Sequence, residues 1–296
     1  MELTILGSWA GSPGAHSACS SYLVSAGDTK ILLDCGPGLV PVLQERHDPE
    51  RLSGIFISHM HADHTLDLLS YAYRLIRFTW RGIDIEQVNR IPLYLPPGGI
   101  RVLDAVSLAY GRPGSGRLAN PFTTAFIPVE LEQDQVISLG DLTVIPYPVV
   151  HSVPAFGYRV ESSDARLAYT GDTKLCPELF NLADGVDILL CEATAREEGV
   201  LTERAGHLTA RQAGRVAARA KAKRLVLTHL TRQDEEWISG LIQDAQEAFN
   251  GGVQVAATGL VVSTSESSKC VASSLVPLQD GGLLPNTFLN PTINKI

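Results

Sequence analysis

Cysteine is scarce and irregularly placed in this chain. There are five, Cys19, Cys35, Cys176, Cys191 and Cys270, an odd number with no Cys-x-x-Cys pair. That pattern excludes a disulfide framework and a cysteine-built structural zinc site, and it fits reduced, buried thiols. Long apolar runs are also missing. No stretch approaches the roughly 20 residues that a membrane span needs, and Leu3-Thr4-Ile5-Leu6 opens the chain as a strand rather than as a basic signal sequence. The expectation is a cytoplasmic chain with no membrane partner. Positive charge is in deficit, with 24 Lys and Arg against 32 Asp and Glu and a formal net charge of −8. A broad phosphate-neutralising surface is thereby disfavoured, since nucleic-acid binders carry a basic footprint, and long nucleic acid is not an expected partner. Histidine numbers only eight, so its distribution carries information.

Three of those eight fall within His59-Met60-His61-Ala62-Asp63-His64, immediately after the apolar run Ile55-Phe56-Ile57. Imidazole nitrogens and a carboxylate suit zinc and similar divalent ions, and a site left open to water yields a hydroxide nucleophile at neutral pH. In an extended segment side chains alternate faces, so His59, His61 and Asp63 point one way and His64 the other, unless a turn or helix start swings it back. One hexapeptide cannot close two metal sites. Further ligand-type residues follow other strand-like runs: His151 after Thr143 to Val150, Asp172 after Ala165 to Thr170, and His229 after Arg224 to Thr228. A sheet edge presents ligands in this way. Singly, His151 or His229 reads more readily as a structural histidine; their shared context argues for ligands.

These residues resemble the metallo-β-lactamase superfamily, whose signature is His-x-His-x-Asp-His followed by a distant His, an Asp and a last His. The resemblance spans most of the chain, from Met1 to about Val262, and implies an α/β fold, a four-layer αββα sandwich of two similar halves. It implies that His59, His61 and His151 hold a first metal, that Asp63, His64 and His229 hold a second, and that Asp172 bridges them. The implied cofactors are two divalent ions, zinc first, with Mn2+ or Fe2+ as alternatives. Asp34, ending Ile31-Leu32-Leu33, is expected to support the ligands from behind; an acidic turn residue is the competing reading. Cys191-Glu192-Ala193-Thr194 and Gly206-His207-Leu208-Thr209 look like the His-Glu-Ala-Thr and histidine motifs of the tRNase Z branch, with Cys191 replacing the first His. Glu192 would then orient His207, which protonates the leaving oxygen. Thr209 also reads as a helix N-cap, with His207 just outside the helix. Asp63, His207 and Glu192 make up the candidate catalytic set.

The chain departs from tRNase Z where Asp172 follows His151 by only 21 positions. Dedicated tRNA-processing enzymes carry a long arm there. Together with the acidic charge, this shifts the expected substrate to small phosphodiesters, and the chain is similar to a compact group that includes bacterial cyclic-nucleotide phosphodiesterases. From Arg74 to Arg117 seven arginines face three acids, an inversion of sign within an acidic chain. Arg74, Arg77 and Arg81 recur at helical spacing and read either as a solvated face or as a cap that holds an anionic small molecule beside Tyr73 and Trp80. Gly111 to Gly116 reads as a closing loop or a linker.

The ligands run from 59 to 229, which ties residues 1–263 into one hydrolase domain with a cap or insert at about 71–121; residues 264–296 read as a tail or arm. Local patterns give strands through about residue 58, a helix after the metal motif, and strands from about 122 to 170. They also give a strand at Asp184 to Cys191 and helices at Thr209 to Lys221 and Gln233 to Phe249. The functional expectation is a binuclear metal-dependent hydrolase, a phosphodiesterase acting through a metal-bound hydroxide, forming a homodimer. A lactonase or carboxylic ester hydrolase, an RNA 3′-processing nuclease and a non-catalytic metal-binding protein are the alternatives.

Overall fold

Apolar runs bounded by Gly, Asp and Pro become strands, and runs with an apolar face at helical spacing become helices, in the computed structural model of the chain. It describes residues 1–15, 17–76, 88–112, 114 and 116–265. Strands β1 (Glu2–Trp9), β2 (Ala18–Cys19), β3 (Ser21–Ala26) and β4 (Thr29–Leu33) lead into helix α1 (Leu39–Arg46). Strand β5 (Gly54–Phe56) precedes α2 (Ala62–Thr65) and α3 (Asp67–Ile76). Strand β6 (Ile91–Leu95), helices α4 (Gly99–Tyr110) and α5 (Pro121–Ala125) and strand β7 (Phe126–Glu130) follow. The second half holds β8 (Ile137–Leu139), β9 (Leu142–Val149), β10 (Ala155–Glu161), β11 (Arg166–Tyr169), α6 (Glu178–Leu182) and β12 (Ile188–Glu192). It ends with α7 (Val200–Glu203), α8 (Ala210–Arg219), β13 (Arg224–Thr228), α9 (Glu235–Gln246), β14 (Gly252–Val255) and β15 (Val261–Ser263).

The strands form two sheets, ordered β15-β1-β3-β4-β5-β6-β7 (with β2 on β1) and β14-β13-β12-β11-β10-β9-β8. Between them lies one apolar layer in which Leu3, Ile5, Tyr22 and Phe56 meet Val144, Tyr158, Leu190 and Val226. Outside the second sheet, Leu179, Leu182, Ala213, Val216 and Leu241 bring α6, α8 and α9 down on its free face. Outside the first, Leu39, Leu43, Leu68, Tyr71 and Phe122 do the same for α1, α3 and α5. The result is the expected αββα sandwich. Each fully buried aliphatic side chain in these layers stabilises it by about 1.5–3 kcal/mol.

Parallel pairing decides where function can sit. Strands β4, β5, β6 and β7 are parallel neighbours, as are β11, β12, β13 and β14. Their carboxyl ends therefore share an edge in each sheet, which is where open α/β sheets place ligands. Asp34 follows β4, the histidine motif follows β5, Asp172 follows β11, Thr194 follows β12 and His229 follows β13. Strand β9 is antiparallel to β10, which is antiparallel to β11, so His151 emerges at that edge too.

Several local expectations are corrected. The run of strands through residue 58 is interrupted by α1, whose Leu39 and Leu43 are buried at helical spacing. The segment read as a cap or insert contributes β6, which pairs with both β5 and β7 inside the first sheet; its alternating burial is that of a strand. The strand expected from Asp184 starts at Ile188, after a turn in which the Gly185 N–H donates to the Ala220 carbonyl. Helix α8 begins as expected, with Thr209 and Gln212 exchanging side-chain to backbone hydrogen bonds of 3.1 and 3.0 Å. That is a capping box. Cys19, Cys35, Cys176 and Cys191 are free and buried. No described helix is long and apolar enough to cross a membrane.

Candidate metal centre and proton-donor pair

The histidine motif works because its backbone changes conformation midway. Strand β5 ends at Phe56, His61 is extended, and α2 starts at Ala62 with His61 as its N-cap. The helical start swings His64 onto the side of His59 and Asp63, which strict alternation would have denied it. Gly36 lets this turn pack closely, since a Cβ there would meet the Asp63 carbonyl oxygen at 2.2 Å.

Seven ligand-type side chains converge. Nε2 of His59 lies 3.0 Å from Nδ1 of His61, and Nε2 of His151 lies 3.1 Å from that same atom. Imidazole nitrogens bound at about 2.0–2.1 Å around a tetrahedral zinc stand roughly 3.3 Å apart, so this trio has the spacing of one ligand set. On the other side, Asp63 Oδ2 is 3.2 Å from His229 Nε2 and 3.7 Å from His64 Nε2. Asp172 lies between, with Oδ2 at 3.7 Å from His59, 3.4 Å from His64 and 3.2 Å from His229. Buried His64 Nε2 and Asp172 Oδ1 have no hydrogen-bond partner among the described residues. Unsatisfied polar atoms at the centre of a five-histidine, two-aspartate cluster are what a divalent cation satisfies, and the residues fit such a group.

Outer partners fix the rings. Asp34, fully buried, accepts from His64 Nδ1 at 2.7 Å, from the Ser58 amide at 2.6 Å, from the Ser58 hydroxyl at 2.8 Å and from the Tyr169 hydroxyl at 2.6 Å. Asp34 thus stands behind His64 and Ser58, where one of the two readings of the sequence puts it. The Gly206 carbonyl accepts from His151 Nδ1 at 3.0 Å, and Gly206 adopts φ +80°. A Cβ at Gly206 would sit 3.0 Å from that ring nitrogen. Thr194 Oγ1 receives His229 Nδ1 at 2.8 Å and donates to Glu192 Oε2 at 2.7 Å. Asp34 and His229 both take left-handed backbone, φ 59° and 57°, a conformation that costs about 1–2 kcal/mol in a non-glycine residue and persists where surroundings impose it.

Electrostatics sort the donors. Burial, aided by neighbouring imidazoles, pushes His59, His61 and His151 below the ordinary histidine range, keeping them neutral with lone pairs available for a cation. For His64 burial works the same way but is outweighed by Asp172 and Asp34, which lift it well above that range. Burial also opposes the charge on Asp172, yet His229 and His64 hold it well below the usual carboxylate range. Asp63 is held low by His229 and His64 against its own burial.

Beside this cluster stand His207 and Glu192, the two residues expected to form a proton-donor pair. His207 Nδ1 is 3.1 Å from Glu192 Oε1 and 3.9 Å from Asp172. Burial disfavours the imidazolium, but the hydrogen bond and charge of Glu192 more than offset it and raise His207 to about 9. Glu192 is itself held by the Thr173 amide at 2.7 Å and by Thr194. Thr194, Tyr169, Ser58 and Gly206 were not singled out from sequence. Thr194 and Gly206 lay within the Cys191-Glu192-Ala193-Thr194 and Gly206-His207-Leu208-Thr209 motifs, and those motifs were the available signal.

The arginines divide differently. Arg74 pairs with Glu50 at 3.6 Å, in the turn before β5. Helix α3 runs back along the sheet, so Arg74 ends at the edge opposite the metal ligands rather than over them. Arg77 and Arg81, with Trp80, lie outside the described residues.

Residues 29–230, more than half of the chain, match the family described as the beta-lactamase superfamily domain. An uncharacterized protein of Mycobacterium tuberculosis is 34% identical over 86% of this chain and 88% of its own. A probable metallo-hydrolase, YhfI of Bacillus subtilis, is 28% identical over 88% and 99%, and its crystal structure superposes with a TM-score of 0.74 at 25% identity, covering 88% and 98%. Ribonuclease Z of Myxococcus xanthus is 28% identical over 88% and 97%. Sequence match, sandwich architecture and donor cluster agree, and the chain belongs to the metallo-β-lactamase superfamily of metallo-hydrolases, among relatives that include YhfI and ribonuclease Z.

Proposed function

We propose that the chain is a two-metal phosphodiesterase for small phosphodiesters such as cyclic nucleotides, with zinc as the preferred ion. The observation that carries this reading is the Glu192–His207 pair, set 3.9 Å from Asp172 at the rim of the donor cluster. An alkoxide is a poor leaving group unless protonated, and a positioned acid contributes about 10²–10⁴ to the rate. His59, His61 and His151 would hold one divalent ion and Asp63, His64 and His229 a second, with Asp172 available to both, and the ions would supply Lewis acidity and an activated water. Glu192 accepts from His207 Nδ1, which leaves Nε2 to give its proton to the departing oxygen as the phosphorus–oxygen bond breaks. Thr194 ties this pair to His229, so donor and ligand are positioned together.

The substrate's size is argued from the interval after His151. It holds only the β10–β11 hairpin, without room for an arm that grips RNA. The relative named ribonuclease Z supports phosphodiester chemistry by that name. A hydrolysis screen of the zinc-loaded protein against a 3′,5′-cyclic nucleotide, bis-(p-nitrophenyl) phosphate, a lactone and a tRNA precursor tests the reading. The cyclic nucleotide is expected to show the highest kcat/KM. Turnover of the lactone alone would overturn the phosphodiesterase assignment, and preference for the tRNA precursor would overturn the small-substrate one.

A further inference from the structure

A groove of about 300 Å³ opens beside His207, lined by Lys174, Leu175, Glu198, Thr202, Glu203 and Gln212. None of these is among the metal donors. Lys174 and Leu175 stand on the segment leaving Asp172, and the other wall is the 198–203 segment with the head of α8. The groove carries two kinds of charge. Lys174 and His207 bring hydrogen-bond donors to the groove for an incoming anion, whereas Glu198 and Glu203 can only accept hydrogen bonds when ionised. The Lys174 ammonium and the Glu203 carboxylate engage no partner among the described residues, while Glu198 accepts from Gln212 Nε2 at 3.2 Å. Thr202 is already occupied with the backbone of Gly199.

A phosphodiester cleaved with His207 as acid must place its leaving alcohol on the His207 side, so this groove is where that alcohol goes. A plain aryl or alkyl group would displace water from the Glu203 carboxylate, which has no donor among the described residues, and offer none in return. A sugar hydroxyl supplies those donors, as an acidic side chain does for ribose in dinucleotide sites. We propose that the groove is the leaving-group subsite, that Glu203, with Glu198, selects a ribose-type alcohol through its free hydroxyl, and that Lys174 steadies the adjoining phosphoryl oxygen. This inference rests on the phosphodiesterase reading and adds the class of leaving group to it.

The test compares wild type, Glu203→Gln, Glu198→Gln, Lys174→Gln and Lys174→Arg on 3′,5′-cyclic adenosine monophosphate, its 2′-deoxy counterpart and bis-(p-nitrophenyl) phosphate, with metal content measured for each. Glu203→Gln is expected to raise KM for the ribonucleotide about tenfold, the loss of one charge-assisted hydrogen bond. It should change KM for the deoxy and aryl esters less than twofold. Lys174→Gln should raise KM on all three, with Lys174→Arg restoring most of the loss, and metal content should stay constant throughout. If neither glutamate variant distinguishes ribose from deoxyribose while wild type cleaves all three, the subsite assignment falls and the phosphodiesterase reading stands. If wild type cleaves none, the phosphodiesterase reading falls and this inference falls with it.

Discussion

The donor cluster and the groove beside it are built on opposite principles. In the cluster, His59, His64, Asp172 and His229 are buried, and each ring or carboxylate is held by packing and by partners such as Asp34 and Thr194. In the groove, Lys174, Glu198 and Glu203 are exposed, and no dense network fixes them. Buried polar groups are costly unless satisfied, so a position in the cluster accepts very few residue types. An exposed side chain costs little to exchange, which leaves the groove free to set which ester is accepted. Chemistry is thus assigned to the rigid region and selection to the adaptable one.

The sharpest way to break that division is Asp172→Ala. Its carboxylate lies between both donor groups, so elemental analysis is expected to fall from about two ions per chain to below one, and activity by about 10⁴-fold or more. Full activity in a metal-depleted wild type would refute the whole arrangement.

His207→Ala probes the boundary between the two regions. Metal content should be retained, while kcat on esters with poor leaving groups drops by roughly 10²–10⁴ and p-nitrophenyl esters suffer much less. An equal loss on both substrate types, or loss of metal, would make His207 a ligand or a structural residue.

Glu192→Gln is expected to act more mildly and to show itself through pH. His207 is raised to about 9 through Glu192. A raised histidine pKa contributes stability that is complete below the unfolded value and lost as pH rises through the folded one. In metal-free protein the His207 imidazole should therefore titrate by NMR near 9. Glu192→Gln should bring that midpoint down toward the ordinary value and flatten the loss of thermal stability between neutral pH and pH 10. An unmoved midpoint would remove Glu192 as the positioning partner.

The smallest effect is expected from Thr209→Ala. Thr209 caps α8 only two residues from His207, so the variant separates helix capping from catalysis. It should lose about 1 kcal/mol of stability in denaturant unfolding, with metal content and kcat within twofold of wild type. A large fall in kcat would show that the cap also positions His207.

Much of the centre was legible in the chain because each donor follows a strand whose pattern is local: apolar residues of period two or continuous runs, then the ligand. The pairing of Glu192 with His207 was legible only through likeness to a known motif, since 15 residues separate them. Tyr169 behind Asp34 was not legible at all, because the two are 135 positions apart and a buried tyrosine reads as core. Helix α1 was missed because a short helix of Leu, Val and Pro with little polar periodicity resembles a strand. Strand β6 was absorbed into a cap because the arginines around it outweighed five apolar-patterned residues.

By itself the sequence determined the ligand-type residues, the order in which they follow strands and the acidic balance, all properties of neighbouring residues or of composition. Only the tertiary structure decided that α2 turns His64 inward, that Arg74 is carried to the far edge, and that Lys174 and Glu203 share a groove with His207. Those outcomes depend on which strands lie parallel and on where a helix begins, and they are fixed by burial of residues distant in the chain rather than by any local pattern.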